Sequence, residues 1–118
     1  MKNDNVKFKI IFLAIMFFGI FGLAKASFAA DFYITSSATG NGNGSSCTNA
    51  LAYTFFNAAG NWGVGAGKIS AGDTVHICGT ITGAANSTLL TFQGSGGVGS
   101  EITLKFEKDA ILQAPYFK

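Results

Sequence analysis

The feature that most constrains this chain is its run of short apolar segments from Ala71 to Phe117. These segments read AGDTVHICGTITG, STLLTFQGSGGVGS and EITLKFEKDAILQAPYF, and glycine, serine and asparagine turns separate them. β-Branched and aromatic residues favour strands, whereas glycine and asparagine favour turns. Unpaired strands leave rows of unsatisfied N–H and C=O groups, so each segment needs a neighbour along its edge. We therefore expect an all-β chain that is the first part of a longer protein or pairs with a partner edge.

The first 29 residues are arranged like a secretory signal peptide. A lysine-rich start precedes an apolar run of about 15 residues, Ile10 to Ala24, and small residues follow it. This run is shorter than the roughly 18 to 20 residues that span a hydrocarbon core as a helix. We predict cleavage after Ala29, with cleavage after Ala26 as the second choice and a retained membrane anchor as the alternative. The mature chain would be residues 30–118, exported to the periplasm, the cell surface or the medium.

The charge of the mature chain differs from that of the whole sequence. Residues 30–118 contain four lysines and five acidic residues, a net charge of −1, and the sequence has no arginine. Because no basic patch is left to hold a phosphate backbone, we expect no nucleic acid partner.

Two cysteines, Cys47 and Cys78, are the only ones in the sequence. In a chain bound for an oxidising compartment they predict a disulfide. A disulfide that closes a loop of about 30 residues contributes about 3 to 4 kcal/mol in the chain-entropy model. Two free thiols are the alternative. A metal site is not expected, because His76 is the only histidine and zinc sites use spaced pairs of ligands.

The mature chain before Ala71 divides into a strand, a loop and a helix. Residues 31–35 (DFYIT) predict a strand, and the SSATGNGNGSS that follows predicts a loop. Apolar residues then recur at steps of four, three and four: Leu51, Phe55, Ala58, Ala59 and Trp62. This spacing predicts a helix from Leu51 to Asn61 that Ser46 or Thr48 caps.

The segments after Ala71 have the alternation of strands that are buried on one side. Val75, Ile77 and Ile81 fall on one face, with His76 and Cys78 on the other. Further strands are expected at residues 89–92, 102–106 and 110–113, the last after a tight Lys108-Asp109 turn. Equivalent positions recur at steps of 27 (Val75 to Ile102) and about 21 (Leu90 to Ile111 or Leu112). Such rungs predict a parallel β-solenoid.

The order of these segments resembles the start of a known fold family. A short strand, a polar loop and an aromatic helix precede A-G-D-T-V, G-T-I-T-G, E-I-T-L-K-F and A-I-L-Q-A-P-Y. This order resembles the N-terminal cap and first rungs of secreted right-handed parallel β-helix proteins, the pectate-lyase-like superfamily, over residues 31–117. The resemblance implies that the helix from Leu51 to Asn61 caps the solenoid. It also implies an interior stack of Val75, Ile77, Leu90, Phe92, Ile102, Leu104, Phe106 and Ile111.

Three short motifs suggest chemistry but favour structural roles. Gly94–Gly99 matches G-x-G-x-x-G, yet a strand follows it rather than the helix that a dinucleotide site needs, so a turn is expected. Asp73 opens a strand and is expected to cap backbone groups. Glu107 and Asp109 are expected to be solvated charges rather than Ca²⁺ ligands, because Lys108 lies between them.

His76 and Cys78 raise the possibility of a Cys–His nucleophile pair. Residues two apart on one strand face lie about 7 Å apart, which is loose for a shared proton, and no third orienting group is evident. A surface histidine near a disulfide is the expected role. We therefore assign no catalytic residue and no cofactor to this chain.

Two functional hypotheses follow. In the first, the full-length protein acts on or binds extracellular polysaccharide through rungs downstream of this chain, as the resemblance implies for lyases and glycosidases. In the second, it is a non-catalytic surface or adhesin-type solenoid, or a structural module that pairs edge to edge with a partner. In either case we expect no stable membrane span after processing. The isolated chain should self-associate, because solenoids generally need three or more repeats for stability.

Overall fold

The strands of this chain lie in two parallel sheets. The computed structural model describes residues 28–114, so the predicted leader, residues 1–29, lies almost entirely outside the described part. The strands are β1 (Asp31–Thr35), β2 (Leu51–Ala52), β3 (Thr74–Ile77), β4 (Thr80–Thr82), β5 (Thr103–Phe106) and β6 (Ile111–Gln113). One helix, α1 (Thr54–Asn57), and two 3₁₀ turns, Cys47–Asn49 and Ala59–Asn61, complete the elements of the described residues. The fold is therefore β-rich with little helix.

The larger sheet has the strand order β2-β1-β3-β5, and the smaller sheet pairs β4 with β6. All of these pairings are parallel. In the larger sheet the register aligns Phe32, Val75 and Leu104 in one row and Ile34, Ile77 and Phe106 in another. Both rows point to the core, which Phe56, Trp62 and Ile69 complete.

The turn lengths explain the spacing between paired strands. Val75 pairs with Leu104, 29 positions later, whereas Ile81 pairs with Leu112, 31 positions later. Two residues separate β3 from β4, but four separate β5 from β6, and this difference accounts for the two extra positions. The predicted steps of 27 and about 21 are therefore wrong, because they paired Val75 with Ile102 and used a strand around Leu90 that does not form.

The predicted helix from Leu51 to Asn61 is largely absent. Leu51 and Ala52 instead pair with β1 as β2, and the Tyr53 N–H donates to the Thr35 carbonyl oxygen at 2.8 Å. Helix α1 spans four residues and ends at Asn57, and the backbone of the next residue, Ala58, is extended. Of the five apolar positions behind this prediction only Trp62 is buried, and Ala58 and Ala59 are exposed, because the backbone at Leu51 pairs with β1 instead of starting a helix. Ser46 does act as a cap, on the 3₁₀ turn Cys47–Asn49.

Residues 89–92 were predicted to be a strand, and they are not one. The backbone here bonds to a single side chain, Asn57, instead of a strand partner. The Asn57 amide donates to the Leu89 carbonyl at 2.9 Å, and the Thr91 N–H donates to Asn57 Oδ1 at 2.8 Å. Leu90 still packs against the core, whereas Phe92 is half exposed.

The remaining strand predictions are confirmed, with two changes at inner positions. Segments 31–35, 74–82, 102–106 and 110–113 all contain strands, and Val75, Ile77 and Ile81 are fully buried. Ile111, predicted inside, is half exposed, and its neighbour Leu112 packs against the core in its place. Phe106 lies in an inner row by register but is 51% exposed.

Candidate functional site

A cluster of polar side chains lies on the outer face of the larger sheet. The register places Tyr33, His76 and Lys105 side by side on β1, β3 and β5. Asp31 begins β1 and Glu107 directly follows β5, so their carboxylates flank the same row. We call these five residues the outer cluster.

The outer cluster is held together by the imidazole ring of His76. Its Nε2 lies 2.9 Å from Asp31 Oδ1, and its Nδ1 lies 2.6 Å from Glu107 Oε1. The Tyr33 ring stacks on the imidazole with the ring centres 4.2 Å apart and the planes 11° apart. Lys105 Nζ donates to the same Glu107 oxygen at 3.0 Å. His76, on β3, therefore joins β1 to the residue that follows β5.

The charges of the outer cluster stabilise one another. The hydrogen bond from the His76 ring, together with that from Lys105, lowers the pKa of the Glu107 carboxyl below its ordinary value. The same bond between Lys105 and Glu107 raises the pKa of the Lys105 ammonium. Ionised carboxylates only accept hydrogen bonds, so the ring satisfies both of its acidic neighbours when both of its nitrogens carry a proton.

This geometry makes His76 a tie between β1 and the residue that follows β5. Both ring nitrogens are occupied, and the residue is 5% exposed, so the predicted surface histidine is wrong. The stacking Tyr33 and the two carboxylates cover the ring. Alternation alone placed His76 on the outer face; only the register of β1 and β5 reveals its partners.

Cys47 and Cys78 form the predicted disulfide, with their Cα atoms 5.6 Å apart. The bond ties the 3₁₀ turn Cys47–Asn49 to the end of β3. Cys78 consequently has no thiol to act as a nucleophile beside His76. The alternative of two free thiols is wrong.

Asp73 has the backbone-capping role that its position predicted. Its carboxylate accepts hydrogen bonds from the backbone N–H groups of Ala30 and Ser70 at 2.8 and 2.7 Å, and from the Ser70 hydroxyl at 3.1 Å. At 1% exposure it is the most deeply buried acidic group of the described residues. The turn before β3 is thereby fastened to the start of β1.

The G-x-G-x-x-G segment forms part of an open groove of about 440 Å³. Phe92, Val98 and Glu101 line it with the glycines between them. The Ser100 N–H donates to the Gly97 carbonyl at 3.0 Å, which makes the segment a turn, as predicted. Hydrogen bonds from the backbone N–H groups of Glu101 and Gly99 lower the pKa of the Glu101 carboxyl.

The structure brings the two acids of the Lys108 turn into different surroundings. Glu107 bonds to His76 and Lys105, whereas Asp109 is exposed and occupies the left-handed region at φ 63°. Glu107 is therefore not the solvated charge that the sequence suggested. Within residues 28–114, no group of three or more potential metal ligands comes together.

Comparison with known proteins assigns this chain to no family. No protein-family model, curated protein or solved structure matches the chain. Among residues 28–114, no helix has the length and apolarity required to span a bilayer.

Proposed function

We propose that this chain forms the capped N-terminal part of an exported right-handed parallel β-helix whose full-length form binds or acts on extracellular polysaccharide. The observation that carries the β-helix part is the inner row Ile34–Ile77–Phe106. Ile34 and Ile77 are fully buried, whereas Phe106 is 51% exposed although the register turns it inward. A large apolar side chain at such a position favours a further rung that would cover it.

The opposite end of the sheet supports a capping role. There β2 pairs with β1, and the segment after β2 supplies aromatic rings to the core. Phe56 and Trp62 meet edge to face at 4.8 Å, and the Trp62 indole donates to the Phe56 carbonyl at 2.6 Å. Apolar rows that are closed at one end and uncovered at the other are what the first unit of a solenoid requires.

Export is supported by two independent features. The disulfide between Cys47 and Cys78 is the kind of bond that persists in oxidising compartments. The first 29 residues have the charge and hydropathy pattern of a signal peptide.

The polysaccharide part of the proposal rests on the resemblance to the pectate-lyase-like superfamily. The outer cluster supports placing any chemistry elsewhere, because both ring nitrogens of His76 are hydrogen-bonded to carboxylates and the residue is buried. Catalytic or sugar-binding side chains would then lie on rungs beyond β5 and β6. The enzymatic character of the full-length protein is part of this proposal.

The test uses the full-length protein as the organism that produces it secretes it. Its crystal structure should contain a right-handed coil with a rung stacked on β5 and β6, and the protein should bind or cleave pectin, alginate, xylan or a related glycan. A helix or a differently oriented sheet over Leu104 and Phe106 would overturn the β-helix. A right-handed coil that neither binds nor cleaves any of these glycans would overturn the polysaccharide part and favour a surface or adhesin-type solenoid.

A further inference from the structure

Asp73 is a buried carboxylate whose partners in the intact chain are all uncharged. The Ala30 N–H donates to Oδ1 at 2.8 Å, and the two Ser70 donors occupy Oδ2. Among the described residues, no cationic side chain forms an ion pair with this carboxylate. Burying an ionised carboxylate is costly unless it is hydrogen-bonded and paired. Oδ1 therefore faces a position where a cation would be stabilised.

Ala30 occupies that position and is also the predicted first residue of the mature chain. Its carbonyl accepts a hydrogen bond from the Thr74 N–H at 2.9 Å, so Ala30 is fixed on both sides of its Cα. The two described residues before it, Phe28 and Ala29, have no such pair of hydrogen bonds. Phe28 is 87% exposed despite its size, and Ala29 and Ala30 are exposed as well. A peptidase would thus find the Ala29–Ala30 bond accessible.

We propose that cleavage after Ala29 creates an α-ammonium group at Ala30 that binds the Asp73 carboxylate. This inference rests on the export proposed above. Hydrolysis by the leader peptidase of the exporting cell adds the hydroxyl of water to the Ala29 carbonyl carbon and breaks the bond from that carbon to the Ala30 nitrogen. The Ala30 nitrogen receives the hydrogen and then a further proton from solvent. One N–H keeps its bond to Asp73 Oδ1, and the other two are solvated because Ala30 is exposed.

The ion pair makes the start of β1 sensitive to how the chain is processed. Cleavage after Ala26 would leave an uncharged amide at Ala30 and place the new ammonium three residues away. Asp31, the adjacent acid on β1, already bonds to His76, so Asp73 is the carboxylate that faces the new terminus. The structure therefore favours a mature chain that begins at Ala30 over one that begins at Ser27.

The pH dependence follows from the sign of the interaction. A carboxylate partner stabilises the ammonium form, so the pKa of the α-amino group rises above its ordinary value of about 7.7 to 8.0 in the folded chain. The added stability is full below that ordinary value and is lost as pH rises through the higher, folded-state value.

The test compares three forms of the mature protein: residues 30–118 with a free terminus, the same chain acetylated on the Ala30 nitrogen, and residues 27–118. Acetylation keeps the N–H donor and removes only the charge. Urea unfolding should give the free-terminus form an unfolding equilibrium constant about tenfold smaller than that of either comparison form near pH 6.5, with the difference gone near pH 10. Equal unfolding constants for all three forms near pH 6.5 would overturn the inference.

Two further measurements separate this inference from the export proposal. The α-amino group of the free-terminus form should titrate at a higher pH by NMR than the same group in the urea-unfolded chain, and the Asp73→Asn variant should lose this difference. An unshifted titration would overturn the ion pair whatever the route of export. The intact mass of the secreted protein tests the cleavage itself. A secreted chain that begins at Ser27, or one that retains the leader, would overturn processing at Ala30, even if the ion pair forms in the prepared chain of residues 30–118.

Discussion

Single polar side chains join segments of this chain that are far apart in sequence. His76 joins β1 to the turn after β5, and Asp73 joins the turn before β3 to the start of β1. Asn57 holds residues 89–91 through both ends of its amide. Each of these groups replaces hydrogen bonds to water with bonds to fixed partners, and removal of one partner leaves the other unsatisfied.

The stability of the fold at acidic pH should depend on the ionisation of Glu107. Its pKa is lowered in the folded chain from an ordinary value of 4.5, so its contribution is full above 4.5 and is lost as pH falls through the folded-state value. Glu107→Gln keeps an acceptor oxygen but cannot ionise. We expect the urea midpoint of the variant to lie below that of wild type at neutral pH and to approach it in acid. Lys108→Gln, in the same turn, is the control, and its urea midpoint should fall in acid as that of wild type does. If the urea midpoints of wild type and Glu107→Gln changed in parallel with pH, Glu107 would not have this role.

Local patterns were sufficient to predict some residues and not others. Alternation identified the buried positions Val75, Ile77 and Ile81, because a strand with one buried face imposes a period of two. The surroundings of His76 could not be predicted, since Asp31 and Glu107 are 45 and 31 positions away and meet it only through the strand register.

At the scale of elements, pairing between distant segments overrode local preference. The spacing of Leu51, Phe55 and Trp62 predicts a helix, but the backbone at Leu51 pairs with β1, and Phe56 and Trp62 reach the core from a single helical turn and a 3₁₀ turn. Residues 89–92 have the composition of a strand, yet their backbone bonds to Asn57. Helix and strand propensities are weak compared with such tertiary contacts.

The two-residue connection between β3 and β4 should depend on Gly79. Its φ is +61°, a conformation that costs other residues about 1 to 2 kcal/mol, although an added Cβ would meet only the Thr35 hydroxyl at an ordinary 3.8 Å. Gly79→Ala should therefore lower the free energy of unfolding by about that amount. Gly60→Ala is the matched control, because nothing lies within 4 Å of its Cβ position and its φ is not positive; it should be neutral or stabilising by about 0.4 to 1 kcal/mol. Equal losses at both sites in urea titrations would show that backbone conformation is not the cause.

The Cys47–Cys78 bond should be a major part of the stability of this small unit. It links positions 31 apart in sequence, so its removal restores the entropy of a long loop to the unfolded chain. The double variant Cys47→Ser/Cys78→Ser should lose about 3 to 4 kcal/mol of unfolding free energy. Thr48→Ser, an exposed change beside Cys47, should stay within about 0.5 kcal/mol of wild type. If the double variant lost less than about 1 kcal/mol in the same urea measurement, the loop-entropy account would be wrong.

At the scale of the whole molecule, the two ends of the sheet differ. One end is covered by β2 and the aromatic residues of the core, and the other presents β5 with Leu104 and Phe106 turned inward. The two ends differ because the strands are parallel and in register. Each inner row of side chains therefore ends at the edge strand β5, where no further strand of the described residues covers it. A surface of this kind promotes association with another apolar surface.

We predict that the chain without its leader self-associates at micromolar concentration through Phe106. The side chain is 51% exposed in an inner row, so its burial against a second copy would remove apolar surface from water. Phe106→Thr should weaken association about 4- to 12-fold, because only half of the side chain is left to bury and this corresponds to about 0.8 to 1.5 kcal/mol. Val64→Thr is the matched control, because Val64 is 100% exposed in a loop away from the inner rows and its substitution should leave association unchanged. Sedimentation velocity over a concentration series measures both variants. A wild-type chain that stays monomeric, or a Val64→Thr variant that dissociates as readily as Phe106→Thr, would mean that the end formed by β5 is not the associating surface.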